Sequence, residues 1–277
     1  MTHFIVGVDG SVGGSAALRW AAELARTTNS ELVAINAYHR PFAEIPPDDF
    51  DDDLAERRAR LEHDWVKPAV ELGVTVRTVV HEGDPRTMLD DADADAALVV
   101  LGRSGHGTAP GLFHVGSVVE HVAHHVSTPL AVIQPRGTAA IDRIVLGLDG
   151  SEESAAAARW TAHHAPALHL DVVAVHVDER ARRRSDSAEL RTAAEEAIME
   201  WASPIVAAGV DVTPLDVSGL HPADALVGIA AKRPNSLLVI GTRGTGGFTG
   251  LRIGGVAMKV LHRATSDLVL VPPSEAG

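Results

Sequence analysis

The stretch FIVGVDGS, residues 4–11, returns as IVLGLDGS at residues 144–151, at an offset of 140. A short β-branched run, then aspartate, glycine and serine, is the pattern of a buried strand that turns sharply into a capped helix. The likeness extends outward from there. Arg19-Trp20 corresponds to Arg159-Trp160, ALVVLGRSG (97–105) to SLLVIGTRG (236–244), and PLAVIQP (129–135) to DLVLVPP (267–273). Such self-similarity predicts two copies of one domain, residues 1–137 and 142–274, joined near 136–141.

Within each copy, short β-branched runs alternate with longer helical patterns, which predicts an α/β fold with a doubly wound parallel sheet. In the first copy strands are expected at 4–8, 32–37, 75–80, 97–101 and 130–133, giving five strands and four helices. Ala17, Trp20, Ala21 and Leu24 share one face of the first helix, while Arg19, Glu23 and Arg26 fall on others. In the second copy, a long helix over 187–207 would gather Leu190, Ala194, Ala197 and Trp201. The run DDFDDD (48–53) lacks the glycine and terminal glutamate of a calcium-binding loop and reads as an acidic loop ahead of the second helix.

With 277 residues and 45% hydrophobic content, the chain can bury the cores of two domains. No run approaches the roughly 18 apolar residues of a membrane span, and the N-terminus lacks the pattern of a signal peptide, so a cytoplasmic protein without a membrane partner is expected. The absence of cysteine excludes disulfides, thiolate metal sites and thiol nucleophiles. A net charge of -13 opposes binding to nucleic acid, and the basic cluster Arg180, Arg182, Arg183 and Arg184 reads as a solvated loop.

In an open parallel sheet, ligands collect beyond the carboxyl ends of the strands where strand order reverses. Asp9-Gly10-Ser11 follows the first strand and Gly102-Arg103-Ser104-Gly105 the fourth, so adjacent first and fourth strands would make them face each other. Glycines let backbone N–H groups approach a ligand, and the following helix adds its free N–H groups and positive end, a combination suited to phosphate. Ser117 would bond an anion or cap that helix. Asp9, which would repel phosphate, suits nucleoside hydroxyls or a bridging divalent cation. No Gly-Lys-Ser/Thr occurs, which excludes a standard P-loop. Gly244-Thr245-Gly246 follows the fourth strand rather than the first, which argues against a dinucleotide fingerprint.

These residues resemble the universal stress protein family, in its tandem two-domain form, over nearly the whole chain. The signature is Gly-x-x-Gly, nine residues, then Gly-Ser or Gly-Thr, with an early aspartate at the end of the first strand. The resemblance implies strand order 3-2-1-4-5 in each half, an adenine nucleotide alpha hydrolase-like fold, and ATP, with Mg as a further expectation. It also implies association through the fifth strands, within the chain through 130–133 and 268–271, and a homodimer of tandem chains. Carried over residue by residue, it places Asp9, Gly10, Ser11 and the main chain of Ala37 at the nucleoside in the first half. Gly102, Gly105, Gly116, Ser117 and Val118 would form the phosphate loop. In the second half the matching positions are Asp149, Gly150, Ser151 and Val177, then Gly241, Gly244, Gly254, Gly255 and Val256. Two departures stand out: ten residues separate Gly105 from Gly116, and Gly255 replaces the hydroxyl residue although the nine-residue spacing is kept. The spacing makes the second site the expected better one.

His121 and His125 are spaced to share a metal on the fourth helix, but no third ligand is evident, and the histidines read as surface residues. No pattern identifies a nucleophile with its base. The expected function is therefore regulatory adenine nucleotide binding, read out by an unknown protein partner; its place in the stress response is what the family resemblance alone implies. The alternatives are a slow ATPase or self-phosphorylating protein, with Ser104, Thr108, Thr242, Thr245 or Thr249 as acceptor, and a scaffold with empty, degenerate sites.

Overall fold

The computed structural model describes residues 3–38, 47–92, 96–105, 115–125, 127–135, 141–179, 188–233, 235–245 and 252–273. The chain divides into two compact units, Met1–Gly137 and Thr138–Gly277.

The first unit contains β1 (His3–Gly7), β2 (Glu31–Tyr38), β3 (Val76–Glu82), β4 (Leu98–Gly102) and β5 (Leu130–Ile133). They lie in the order β3-β2-β1-β4-β5, every pairing parallel. The second unit contains β6 (Arg143–Gly147), β7 (Asp171–Asp178), β8 (Val212–Ser218), β9 (Ser236–Gly241) and β10 (Asp267–Val271), in the order β8-β7-β6-β9-β10 and again parallel. Each half is thus an α/β domain of strand order 3-2-1-4-5. Phe4, Ile5 and Val6 are all buried, as are Leu98, Val99 and Val100. Consecutive buried residues mean that both faces of the sheet are covered, the state of a strand in a doubly wound fold.

The first unit's helices are α1 (Val12–Thr28), α2 (Pro47–Arg60), α3 (Lys67–Val70), α4 (Pro85–Ala92) and α5 (Ser117–His125). A π-helical turn, Leu61–Trp65, continues α2. The second unit has α6 (Glu152–Leu168), α7 (Ala188–Trp201), α8 (Ser203–Ala207), α9 (Pro222–Ala231) and α10 (Gly255–Arg263). Helix α1 starts where the Gly14 N–H donates to Ser11 Oγ at 3.0 Å, and it ends at Asn29, whose left-handed φ of 52° halts it. Helix α6 copies both ends with Ser151 and His169. Ala17, Ala21 and Leu24 of α1 are buried and Arg19, Glu23 and Arg26 exposed, as helical spacing predicts; Trp20 is only partly covered.

Three sequence expectations change. The first unit has five α-helices rather than four, because α2 passes through the π-helical turn into the separate short helix α3, which Pro68 helps to start. Residues 48–53 lie within helix α2, not in a loop. Pro47 begins that helix, and aspartates in first turns suit the positive end of a helix dipole. The single helix expected over 187–207 is broken at Ala202, because Pro204 has no N–H to continue the ladder and restarts the chain as α8. Leu190 is accordingly exposed, and Ile198 takes the fully buried position on α7.

Candidate functional site

Strands β1 and β4 are direct neighbours, Phe4 beside Leu98 and Val6 beside Val100, so their carboxyl ends bring Asp9-Gly10-Ser11 against the glycine segment after β4. Asp9 Oδ1 accepts from the Ser11 N–H at 3.0 Å and from Ser11 Oγ at 2.5 Å. A methyl group at Gly105 would collide with Asp9 Oδ2, so the carboxylate lies between the helix start and the glycine loop. The second half repeats this. Asp149 Oδ1 accepts from Ser151 N at 3.0 Å and Ser151 Oγ at 2.5 Å, and Asp149 Oδ2 accepts from the Thr245 N–H at 3.0 Å. The aspartate therefore organises the turn and the loop in both copies, whatever it offers a ligand.

Gly10 and Gly150 have φ of 78° and 76°, a region costly for other residues. Each lies under a tryptophan: a Cβ would stand 2.7 Å from Trp65 Cε2 at Gly10 and 3.0 Å from Trp201 Cζ2 at Gly150. The covering residues carry a signal of their own, because WVKP (65–68) and WASP (201–204) share tryptophan and proline at the same spacing. By helical spacing Trp201 belongs to the apolar face of its helix, and the spacing around Trp65 marks it for no role.

The loop ends by turning back on itself. Gly116 N–H donates to Arg103 O at 2.8 Å and Gly254 N–H to Thr242 O at 2.7 Å, so neither amide is left for a ligand. Glu120 N bonds Gly116 O and Met258 N bonds Gly254 O, which makes the two glycines the helix caps. Ser117 does not cap the helix; it is the first residue of α5 and is exposed. The donors suited to an anion are the first-turn amides of α5, from Ser117, Val118 and Val119, and those of α10, from Gly255, Val256 and Ala257, which have no intrahelical acceptor.

A cavity of about 580 Å³ opens at this point in the first half. Asp9, Ser11 and Ala37 line it, as do Gly102, Gly105, Gly116, Ser117 and Val118, while Gly10 sits below Trp65, itself part of the wall. Pro85, Met88 and Leu89 add an apolar side from α4. Asn36, buried on β2, donates from Nδ2 to Val8 O at 2.7 Å, and its Oδ1 accepts no hydrogen bond among the described residues. Such a buried, unsatisfied acceptor is costly unless a ligand or water meets it. Arg57 and Arg60 of α2 complete the wall and were also missed, since nothing in their spacing marks them as facing a site.

The second half differs at matching places. His176 stands where the first half has Asn36; its Nδ1 is 3.0 Å from Asp216 Oδ1, and its ring meets Trp201 edge-on at 5.4 Å. Val177 follows it, at the end of β7. Arg243 replaces Ser104, and its Nε and Nη2 donate to Glu153 Oε1 at 2.8 and 2.7 Å. Val256 is exposed in the first turn of α10. Arg103, 3% exposed, has its guanidinium pKa lowered by burial.

On α5, the rings of His121 and His125 stack with centroids 4.1 Å apart, and His125 Nδ1 lies 2.8 Å from His121 O. No group of three metal-ligating side chains occurs among the described residues. No helix among them is long and apolar enough to cross a membrane. Thr108, Thr249 and the arginines at 180 and 182–184 lie outside the described residues, as do His106 and His114, the histidines that the sequence places inside the first glycine loop.

Comparison with known proteins agrees with this architecture. A universal stress protein from Mycolicibacterium smegmatis is 26% identical over 97% of this chain and 96% of its own length. The crystal structure of a universal stress protein from Archaeoglobus fulgidus superposes with a TM-score of 0.75, covering 97% of both chains at 18% identity, a likeness of fold. A universal stress protein solved in complex with cAMP aligns with 49% of this chain at 28% identity and a TM-score of 0.39. The profile of the Universal stress protein family matches residues 1–134 and again 140–272. The chain belongs to the universal stress protein family and carries its domain twice.

Proposed function

We propose that this protein is a cytoplasmic regulator of the stress response that binds ATP and reports its occupancy through shape or assembly. The observation that carries the reading is the first-half cavity, in which Asp9, the end of β2 at Ala37 and the start of α5 meet. Its volume of about 580 Å³ is of the size that encloses a small organic ligand. The base would lie toward Ala37 and the apolar α4 side, the ribose near Asp9, and the phosphates at the first-turn amides of Ser117 and Val118. If a magnesium ion accompanies the nucleotide, Asp9 is the side chain that would hold it, and the cation would supply positive charge against the phosphates. The second half would bind through Asp149, Val177 and the start of α10, with one hydroxyl fewer because Gly255 replaces serine.

Binding would order the glycine loops and change the surface offered to a protein partner or to a second copy of the chain, with differential affinity for the ordered state as the driving force. The test is to release small molecules from freshly purified protein and identify them by mass spectrometry, then to titrate stripped protein with ATP, ADP and AMP. Bound adenine nucleotide lost on Gly105→Ala or Gly244→Ala supports the reading. A protein that carries none and shows no saturable binding is a scaffold instead.

A further inference from the structure

Resting on that nucleotide reading, we infer that Arg57 and Arg60 are the residues that let the first-half site select nucleoside di- and triphosphates over nucleosides and monophosphates. Both lie on α2, a helix outside the motif, and both line the cavity, whereas Arg58 between them does not. Positions three apart share a helix face, so the cavity receives one basic face of α2. They are the cations among its described lining residues.

The need for them follows from charge. The start of α5 supplies the equivalent of about half a positive charge, enough to favour one phosphate but far short of the several negative charges of a polyphosphate. Asp9 and Glu56, also in the wall, add to the deficit. Arg60 is ion-paired with Glu56, with 56% and 60% of the two side chains exposed. Exposed pairs of this kind are weak and screened, so a phosphate can take over the guanidinium. A planar guanidinium suits this exchange, as it donates two parallel N–H groups to phosphate oxygens.

The second half provides an internal contrast. Aligned on the buried Leu61 and Ile198 or on the covering Trp65 and Trp201, the positions of Arg57 and Arg60 hold Ala194 and Ala197 or Ala193 and Glu196. Neither register places a cation there. The basic face is thus a property of one copy, not of the duplicated scaffold.

The test is calorimetric titration of the full chain with adenosine, AMP and ATP at low and high NaCl, for wild type, Arg57→Gln/Arg60→Gln and Arg57→Lys/Arg60→Lys. The expected result is a wild-type preference for ATP over adenosine that falls by about tenfold per arginine in the glutamine variant. The lysine variant should keep most of that preference, adenosine binding should hold constant, and the salt dependence of ATP binding should flatten in the glutamine variant. Gly105→Ala must weaken the same ATP-preferring event by about tenfold or more, which assigns it to the first half. An unchanged preference, or adenosine and ATP affinity falling together, overturns the inference while leaving nucleotide binding intact. A wild-type chain that binds none of the three ligands removes the nucleotide reading itself.

Discussion

His164, on the buried face of α6, should make the second unit acid-sensitive. Its side chain is 6% exposed, packs 4.4 Å from Trp160 and adjoins His163. Burial, reinforced by the charge of His163, lowers its pKa from 6.5 to about 4. A base with a depressed folded pKa is protonated more readily in the unfolded chain. Its effect is therefore absent above the unfolded value, grows as pH falls through 6.5, and is complete near 4. Evaluating the two-state linkage between those values gives a loss of about 2 kcal/mol at pH 5 and about 3 kcal/mol at full extent. The perturbation is His164→Leu, chosen because Leu24 occupies the matching place on α1 and is itself buried. Urea unfolding followed by tryptophan fluorescence at pH 7.5 and pH 5 should show the wild type losing about 2 kcal/mol more than the variant over that interval. Carboxylates titrate in both proteins and cancel in the difference. Equal losses would mean that His164 is solvated or paired in its charged form, and the argument from burial would fail.

Other outcomes follow from the site. Gly10→Ala and Gly150→Ala place a side chain at positive φ against an indole and should each destabilise their half by about 1–3 kcal/mol in chemical denaturation; a neutral result would mean that the tryptophans move aside freely. Gly105→Ala drives a methyl group into the Asp9 carboxylate and should weaken first-half nucleotide binding by about tenfold or more in a titration, with far-UV circular dichroism unchanged. Because Trp65 lines the cavity, adenine nucleotide should alter its fluorescence, and the signal should vanish in Trp65→Phe but persist in Trp201→Phe. Ser11→Ala removes the cap of α1 and should cost about 1 kcal/mol, read from urea midpoints.

The fold was legible because its information is local and repeated. Apolar runs such as residues 4–8 and 97–101, short and rich in β-branched residues, read as buried strands, and Ser11 and Ser151 mark helix starts that the structure reproduces. The broken helices were less legible, since Pro204 competes with a strong helical pattern around it and wins by lacking a donor. The chemistry of the glycine loop was only half visible. Its glycines announced close approach, but whether the Gly116 amide faces a ligand or the Arg103 carbonyl depends on the path of the loop, which spacing does not encode. Arg57, Arg60 and Asn36 escaped because each reaches the cavity from another element, and an isolated residue on a helix or strand carries no mark of what lies opposite.

The meeting of loop and helix start also governs how the two copies can diverge. In the first, Gly13 lies so close to the Ser104 carbonyl that any side chain there would collide with it. In the second, the same two places hold Glu153 and Arg243, bonded to each other. The two positions differ between the halves as a matched set, one bare and one salt-linked. A loop transplanted from one half into the other would arrive without its counterpart, leaving Arg243 facing a glycine or Glu153 facing a carbonyl. Heritable variation in this protein is therefore expected to travel in pairs across that seam, and a functional chimera must exchange residues 11–14 together with 102–105, or 151–154 with 241–244.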